Sequence, residues 1–457
     1  MPLSKKDARF REFALNGNLW NLVFSVGIPL AIYNALHGTF NILDTFLAST
    51  VSTDSVSAVT YLNQYMSIFS QIGSGLAVGG SLLVSRAYGA GDYEKMKKNV
   101  STLVAFSSIL SIIVLSMIPF AGPILRMTGT PEPFIEQGTR YFAVSLFSIV
   151  ISFFNSIYVA IDRARGKTRK ILFLNSMIIV VKLILSRIFI RYIESDIIMI
   201  SYASVIAQAM LLVYAIYYIF LRNDSFSFSF SSISFSKGIA LPMLSISLPL
   251  MLEKTAFSLG KVIVNNMCAF YGPDTIGALG ISNSLNGIYN NAQIGLQDGA
   301  SSVISQNVGA GRYRRAVRAF WIVTLYNLVI SVIGYAVIAL LIVPISRLFS
   351  TDEVFSSMIV SINAYGSIGA FSLFLCSSST AFLFGIGKTQ LTLLINFCRV
   401  LFFRIPVLWF LINFTEIGYI SSGIVMLVSN VLTSIVALLL ALNEIRKLRK
   451  EDKLQES

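Results

Sequence analysis

Four polar residues, Asn34, His37, Asn41 and Asp44, stand three, four and three positions apart in an otherwise apolar stretch, NLWNLVFSVGIPLAIYNALHGTFNILDTFLA. On a helix that spacing gathers all four on one face. A carboxylate, an imidazole and two amides do not sit in an apolar helix without partners or water. The stretch is therefore predicted to form one wall of a polar cavity inside a membrane protein. A carboxylate such as Asp44 can bind a cation or a proton there. His37, the single histidine, either relays protons near neutral pH or packs as a hydrogen-bonding residue.

Other polar groups interrupt other apolar runs. Glu253, Lys254 and Lys261 lie in the seventh run, with the two lysines seven apart and so on one face. Glu253 is placed to meet Lys261 through a water, or directly after a kink at Pro249. Two outcomes stay open. Glu253 is a second coupling carboxylate beside a cationic wall suited to an anionic or zwitterionic substrate, or the three groups neutralise one another. Asn283, Asn286, Asn290, Gln293 and Gln297 recur at three-four spacing in the eighth run. Partners for five amides among apolar neighbours are scarce, which favours a cavity wall. Gln64 and Gln71, with Tyr61, make a weaker stripe in the second. In the fifth run Lys182 is expected to pair with Asp44 in one state and release it in another; the alternative is a fixed salt bridge.

The elements that position these groups are legible from composition. The 457 residues are 55% hydrophobic and only 12% charged, with mean hydropathy +0.74. Soluble domains carry roughly 25% charged residues, so the chain reads as an all-α polytopic membrane protein. Twelve helices are predicted, at 18–48, 55–85, 99–121, 139–161, 168–192, 197–221, 240–271, 275–307, 316–343, 360–384, 389–413 and 418–443. With the N-terminus inside, 25 Lys and Arg fall in inner segments and 4 in outer ones. That asymmetry puts both termini in the cytoplasm of a plasma-membrane protein. The formal charge of +13 thus reads as orientation signal rather than a nucleic-acid surface. Of six basic residues inside spans, Arg399 and Arg404 are expected to anchor the eleventh near the inner surface. Cys268, Cys376 and Cys398 all lie in apolar spans, with no disulfide or metal spacing.

An internal repeat organises the whole. GGSLLVSRAYGAGDY at 79–93 matches GASSVISQNVGAGRY at 299–313, offset by 220; the same offset pairs Pro29 with Pro249 and Asn63 with Asn283. Farther on, GKT at 166–168 pairs with GKT at 387–389. Six spans per repeat is even, so the halves insert alike and are expected to be related by a pseudo-twofold axis along the membrane normal. The expected domains are an N-lobe over 1–221, a cytoplasmic linker over 222–239 lying along the membrane surface, a C-lobe over 240–443 and a cytoplasmic tail over 444–457.

Pro29 with NILDTFLAS at 41–49, GGSLLVSRAYGAGDYEKM at 79–96, Pro249, QNVGAGRYRRA at 306–316 and RVLFFRIP at 399–406 together resemble the multidrug and toxic compound extrusion (MATE) family of secondary antiporters. The resemblance implies two six-helix lobes, a central cavity, and exchange of an exported compound for H⁺ or Na⁺. It makes Asp44 a cation-coupling residue and gives Glu253 precedent as a second one, with Na⁺ near either. The chain departs from the family pattern in the fifth helix. By position, Lys182 replaces an Asn, Ser186 an Asp and Arg187 a Pro, which removes one coupling carboxylate and adds a cation.

GAG at 89–91 and 309–311 follows apolar helices rather than strands, so these loops are expected to be helix C-caps and not phosphate cradles. The expected function is a MATE-like antiporter working by alternating access, with Pro29 and Pro249 as hinges. A lipid-linked precursor flippase, or an exporter of anionic substrates, is the alternative. An enzyme is not expected, nor a cofactor beyond the coupling ion. The expected partners are a small-molecule substrate and the bilayer, with the protein a monomer.

Overall fold

The computed structural model describes the backbone of residues 3–49, 53–127, 135–193, 198–221, 224–349 and 352–456, and side chains within them except at 39–49, 53–61, 63–65, 127, 137, 273 and 451–456. The described residues form helices and contain no strand. In chain order these are α1 (Lys5–Asn16), α2 (Leu19–Ser49), α3 (Thr53–Ala90), α4 (Tyr93–Leu115), α5 (Ala121–Met127), α6 (Ile135–Ala164), α7 (Thr168–Tyr192), α8 (Ile198–Ile216), α9 (Ala240–Cys268), α10 (Pro273–Gly309), α11 (Tyr313–Phe349), α12 (Glu353–Gly385), α13 (Thr389–Leu401), α14 (Ile405–Phe414) and α15 (Ser421–Glu456). Every predicted span has its helix. The span 389–413 differs in being broken at Phe402–Arg404 into α13 and α14. Pro406, in the first turn of α14, cannot donate to a continuous ladder there.

Among the described residues, ten stretches are long and apolar enough to cross a membrane. The two remaining long helices, α9 and α10, are the ones diluted by Glu253, Lys254, Lys261 and the amides. A helix with that much polarity needs neighbours that shield it from lipid.

Four turns share one device. Gly91, Gly166, Gly311 and Gly387 all have φ between 71° and 81°, the left-handed conformation that ends a helix at little cost for glycine. After each, the next amide reaches back to a carbonyl five residues earlier: Asp92 to Ala87, Lys167 to Asp162, Arg312 to Asn307 and Lys388 to Leu383, at 2.8–3.0 Å. The GAG segments are helix C-caps, as their sequence context implied, and the GKT segments prove to be C-caps of the same kind.

Two compact units make up the chain. The first comprises residues 1–13 and 39–255, the second 14–38 and 256–457. The divisions fall inside α1, α2 and α9, so each unit contains most of one repeat plus the leading part of the other repeat's first spanning helix. Glycines make this possible. In the first unit, a Cβ on Gly75 would lie 2.7 Å from the Met251 backbone, and one on Gly79 2.6 Å from Ser247 Cα. In the second, a Cβ on Gly295 would lie 2.2 Å from the Leu30 carbonyl oxygen, and one on Gly299 3.0 Å from Gly27 Cα. These are the same contacts displaced by 220 residues, and backbones approach this closely only over small residues.

The first unit's core is built on Leu62, Leu125, Phe142, Leu146 and Phe153. The second unit's centres on Val264, Leu279, Ile359, Ile362, Leu408 and Val425. The linker after α8 packs back onto the first unit. Ser229 and Ser234 backbone amides donate to Ser101 Oγ and Thr102 Oγ1 on α4, both at 3.1 Å. Phe226 is buried, whereas Phe230 is 81% exposed and Phe235 59%.

Sequence reading did not foresee α1. Its Asp7 is buried and paired with Arg165, its Arg11 donates to the Tyr88 and Gly89 carbonyls at the end of α3, and Phe10 packs on Gly166. Carbonyls at its C-terminus and just beyond, now in the second unit, receive Arg312 and Arg315: Nη1 of Arg312 reaches Leu15 O at 2.7 Å, and Nη2 of Arg315 reaches Gly17 O at 2.5 Å. Cations at a helix C-terminus satisfy carbonyls that have no partner within the helix.

Candidate functional site

In the first unit, α9 brings Glu253 and Lys254. Glu253 is 7% exposed. Lys254 Nζ donates to Ser74 Oγ on α3 at 2.8 Å. On α7, Lys182 is half-buried, Ser186 is buried and Arg187 is exposed. The side chains of Asn41, Asp44 and Gln64 lie outside the described residues, and with them the expected pairing of Asp44 and Lys182.

In the second unit, the leading part of α2 carries Asn34, half-buried, and His37, exposed. The His37 ring meets Tyr33 edge-on, 6.0 Å between centroids. Pro29 and Pro249 both sit inside their helices and are buried.

The amide stripe of α10 is not one uniform surface. Asn286 Nδ2 donates to Asn363 Oδ1 on α12 at 2.9 Å, and Tyr289 Oη to Asn286 Oδ1 at 3.3 Å. Gln293, fully buried, donates from its side chain to Ser331 Oγ on α11, and its backbone carbonyl accepts from Ser377 Oγ at 3.0 Å. These two side chains make hydrogen bonds to neighbouring helices. Serines and an Asn on α11 and α12 supply partners that spacing within α10 cannot reveal. Asn283 is exposed, and Asn290 and Gln297 are half-buried.

Lys261 falls in the second unit, and what surrounds it was not foreseen. Its Nζ lies 4.9 Å from the centre of the Phe257 ring. The guanidinium carbons of Arg399 and Arg404 lie 4.8 and 5.5 Å from the same ring. Both arginines are deep in the span Thr389–Phe414 and buried, so they do not anchor its end as expected. Arg399 lies in the last turn of α13 and Arg404 occupies the break before α14, and both meet Phe257 on α9. The 220-residue offset also makes Lys254 and Lys261 the repeat counterparts of Asn34 and Asn41. A further ionisable group, Asp298 on α10, is half-buried; its place between Gln297 and Gly299 in an apolar run was the available signal. Among the described residues no group of three or more His, Cys, Asp and Glu is arranged to hold a metal ion.

The MatE family model matches residues 29–188 and again 249–410, one match per repeat. The chain belongs to the MATE family. Its relatives include a probable multidrug resistance protein, YoeA of Bacillus subtilis, 21% identical over 74% of each chain. A FAD transporter of Shewanella oneidensis is 24% identical over 87% of this chain and 89% of its own. Among solved structures, an outward-facing conformation of a multidrug resistance MATE family transporter aligns with a TM-score of 0.91 at 20% identity, covering 98% of this chain and 99% of that one. The MATE fold therefore extends over nearly the entire chain, which is a multi-pass membrane protein of a transporter family.

Proposed function

We propose that this MATE protein is a secondary active exporter, exchanging a small organic compound for H⁺ or Na⁺ by alternating access. It works as a monomer in the plasma membrane with both termini in the cytoplasm. The observation that carries this reading is Glu253, a buried carboxylate within a long helix of a transporter fold. An ionisable carboxylate inside a spanning helix of a transporter is rare and marks an ion pathway, where it can exchange its protein partner for a coupling proton or cation. The glycine loops end helices, and an ion gradient is the energy source in this reading. Relatives named for multidrug resistance and for FAD transport support a small organic cargo.

Reconstituted vesicles with imposed proton or sodium gradients test this. Gradient-driven dye movement should be lost in Glu253→Gln or Asp44→Asn while the protein still melts normally. Equal transport by both variants and the parent would remove the carboxylates from the mechanism.

A further inference from the structure

Lys261, Arg399 and Arg404 bring three cationic side chains around one phenylalanine ring, wholly within the second unit. The acceptors around them are neutral. Asn430 Oδ1 on α15 takes hydrogen bonds from Nη2 of Arg399 at 2.7 Å and from Nη2 of Arg404 at 3.1 Å. Ser429 Oγ takes one from Arg404 Nε at 3.1 Å. Among the described residues no carboxylate forms an ion pair with any of the three. Arg399 Nε is buried and has no hydrogen-bond partner. The two arginines are 8% and 4% exposed, and the lysine is exposed.

Such a cluster is costly in an apolar setting. Each buried cation carries a desolvation penalty of several kcal/mol, and like charges add repulsion that a low dielectric leaves unscreened. One aromatic face returns only about 1–2 kcal/mol, and one shared amide oxygen cannot neutralise two guanidiniums. An anion is the group whose charge complements this arrangement. Guanidiniums match the paired oxygens of a carboxylate or phosphate, and an ammonium adds an adaptable point charge.

We propose that Lys261, Arg399 and Arg404 form an oxyanion-binding site, which takes the carboxylate or phosphate group of an organic anion. Lys261 is the most exposed of the three cations, and Arg399 Nε supplies the unused buried donor. Asn430 and Ser429 hold the arginines in place without cancelling their charge. That the bound anion is cargo rests on the exporter reading; the site itself does not.

The test uses the full chain in nanodiscs of phosphatidylcholine, with fluorescence anisotropy of carboxyfluorescein as the anionic probe and rhodamine 6G as the cationic one. Carboxyfluorescein should bind, and Lys261→Met should weaken it by about tenfold, the loss of one charge-assisted hydrogen bond. Lys261→Arg should restore it. Because Lys261 is exposed, both variants should melt like the parent, and Arg404→Gln gives a second, buried disruption. Inorganic phosphate should compete with the dye. Competition by phosphatidylglycerol added to the nanodiscs would assign the same oxyanion site to a lipid headgroup. Carboxyfluorescein affinity unchanged in both Lys261→Met and Arg404→Gln, or equal binding of rhodamine 6G, overturns the proposal. Anion binding without gradient-driven uptake in vesicles would keep the site and remove the exporter reading. Gradient-driven rhodamine 6G transport without anion binding would do the reverse.

Discussion

Arg165 holds Asp7 in a two-pronged ion pair, Nη2 to Oδ2 at 2.6 Å and Nε to Oδ1 at 3.1 Å, with both side chains nearly closed to solvent. Burial alone would raise the Asp7 carboxyl, but the Arg165 hydrogen bond and charge, with Ser4 and Lys167, outweigh it and hold the group below its usual 3.8. Native Asp7 therefore binds a proton less readily than unfolded Asp7. Its contribution to stability is complete above the ordinary carboxylate range and drains away as pH falls through the lowered native value, below about pH 4. Asp7→Asn should cost about 1–3 kcal/mol at neutral pH, since Arg165 loses its bidentate partner but keeps Asp224 at 3.0 Å, and should flatten the acid-side loss. Glu94→Gln breaks the exposed pair with Lys98 and should change stability by under about 0.5 kcal/mol. Unfolding in nanodiscs between pH 7 and pH 3 measures both.

The glycine contacts between the leading helices and the opposite repeat set a second expectation. Gly295→Ala drives a methyl into the Leu30 carbonyl, and Gly75→Ala drives one into the Met251 backbone. Backbone atoms cannot swing aside, so each change should destabilise by about 1–3 kcal/mol. Gly280→Ala, on the same α10 but with open space at its Cβ, should be neutral or slightly stabilising through helix propensity. Equal melting temperatures for Gly295→Ala and Gly280→Ala would contradict the packing account.

The two kinds of amide on α10 should separate experimentally. Asn286→Leu and Gln293→Leu each remove hydrogen bonds to α11 or α12 and strand a partner. They should lower stability by about 1 kcal/mol or somewhat less. Asn283→Ala, at an exposed position, should leave stability unchanged. Unfolding of the purified variants in one lipid composition reads the difference.

Thr102 both accepts from the Ser234 amide and donates to its carbonyl, at 3.1 and 3.3 Å. Thr102→Val keeps the shape and deletes both bonds. Amide hydrogen exchange across 229–236 should accelerate by about fivefold to tenfold, while exchange in α4 stays slow. Unaltered exchange in the linker would show that Phe226 and its neighbours hold the segment without Thr102.

The spanning helices were legible because a run of about twenty apolar residues has few alternatives in a bilayer, and the C-caps because glycine after an apolar helix has a physical job. The helix α1 was not. It is short and strongly charged, and its one buried carboxylate finds Arg165 far along the chain. Asn286 and Gln293 show the limit of periodicity: spacing placed them on a face, but whether that face meets water or Asn363 and Ser331 depends on other helices. Arg399 and Arg404 show it again. Their residue types were noted, yet only the break at Phe402–Arg404 and the approach of Phe257 turn them into neighbours of Lys261. Asn41, Asp44 and Gln64 stay proposals for the coupling and cavity roles.

The glycine seams also bear on ancestry. A chain severed in the linker would give two fragments, each lacking a piece of helix that only the other carries, with Gly75 and Gly79 or Gly295 and Gly299 left bare. A forebear of one repeat, before duplication, would have had to lend its leading helix to a sister molecule and borrow one in return. Joining two such repeats in one chain would turn an obligatory loan between molecules into a fixed property of one.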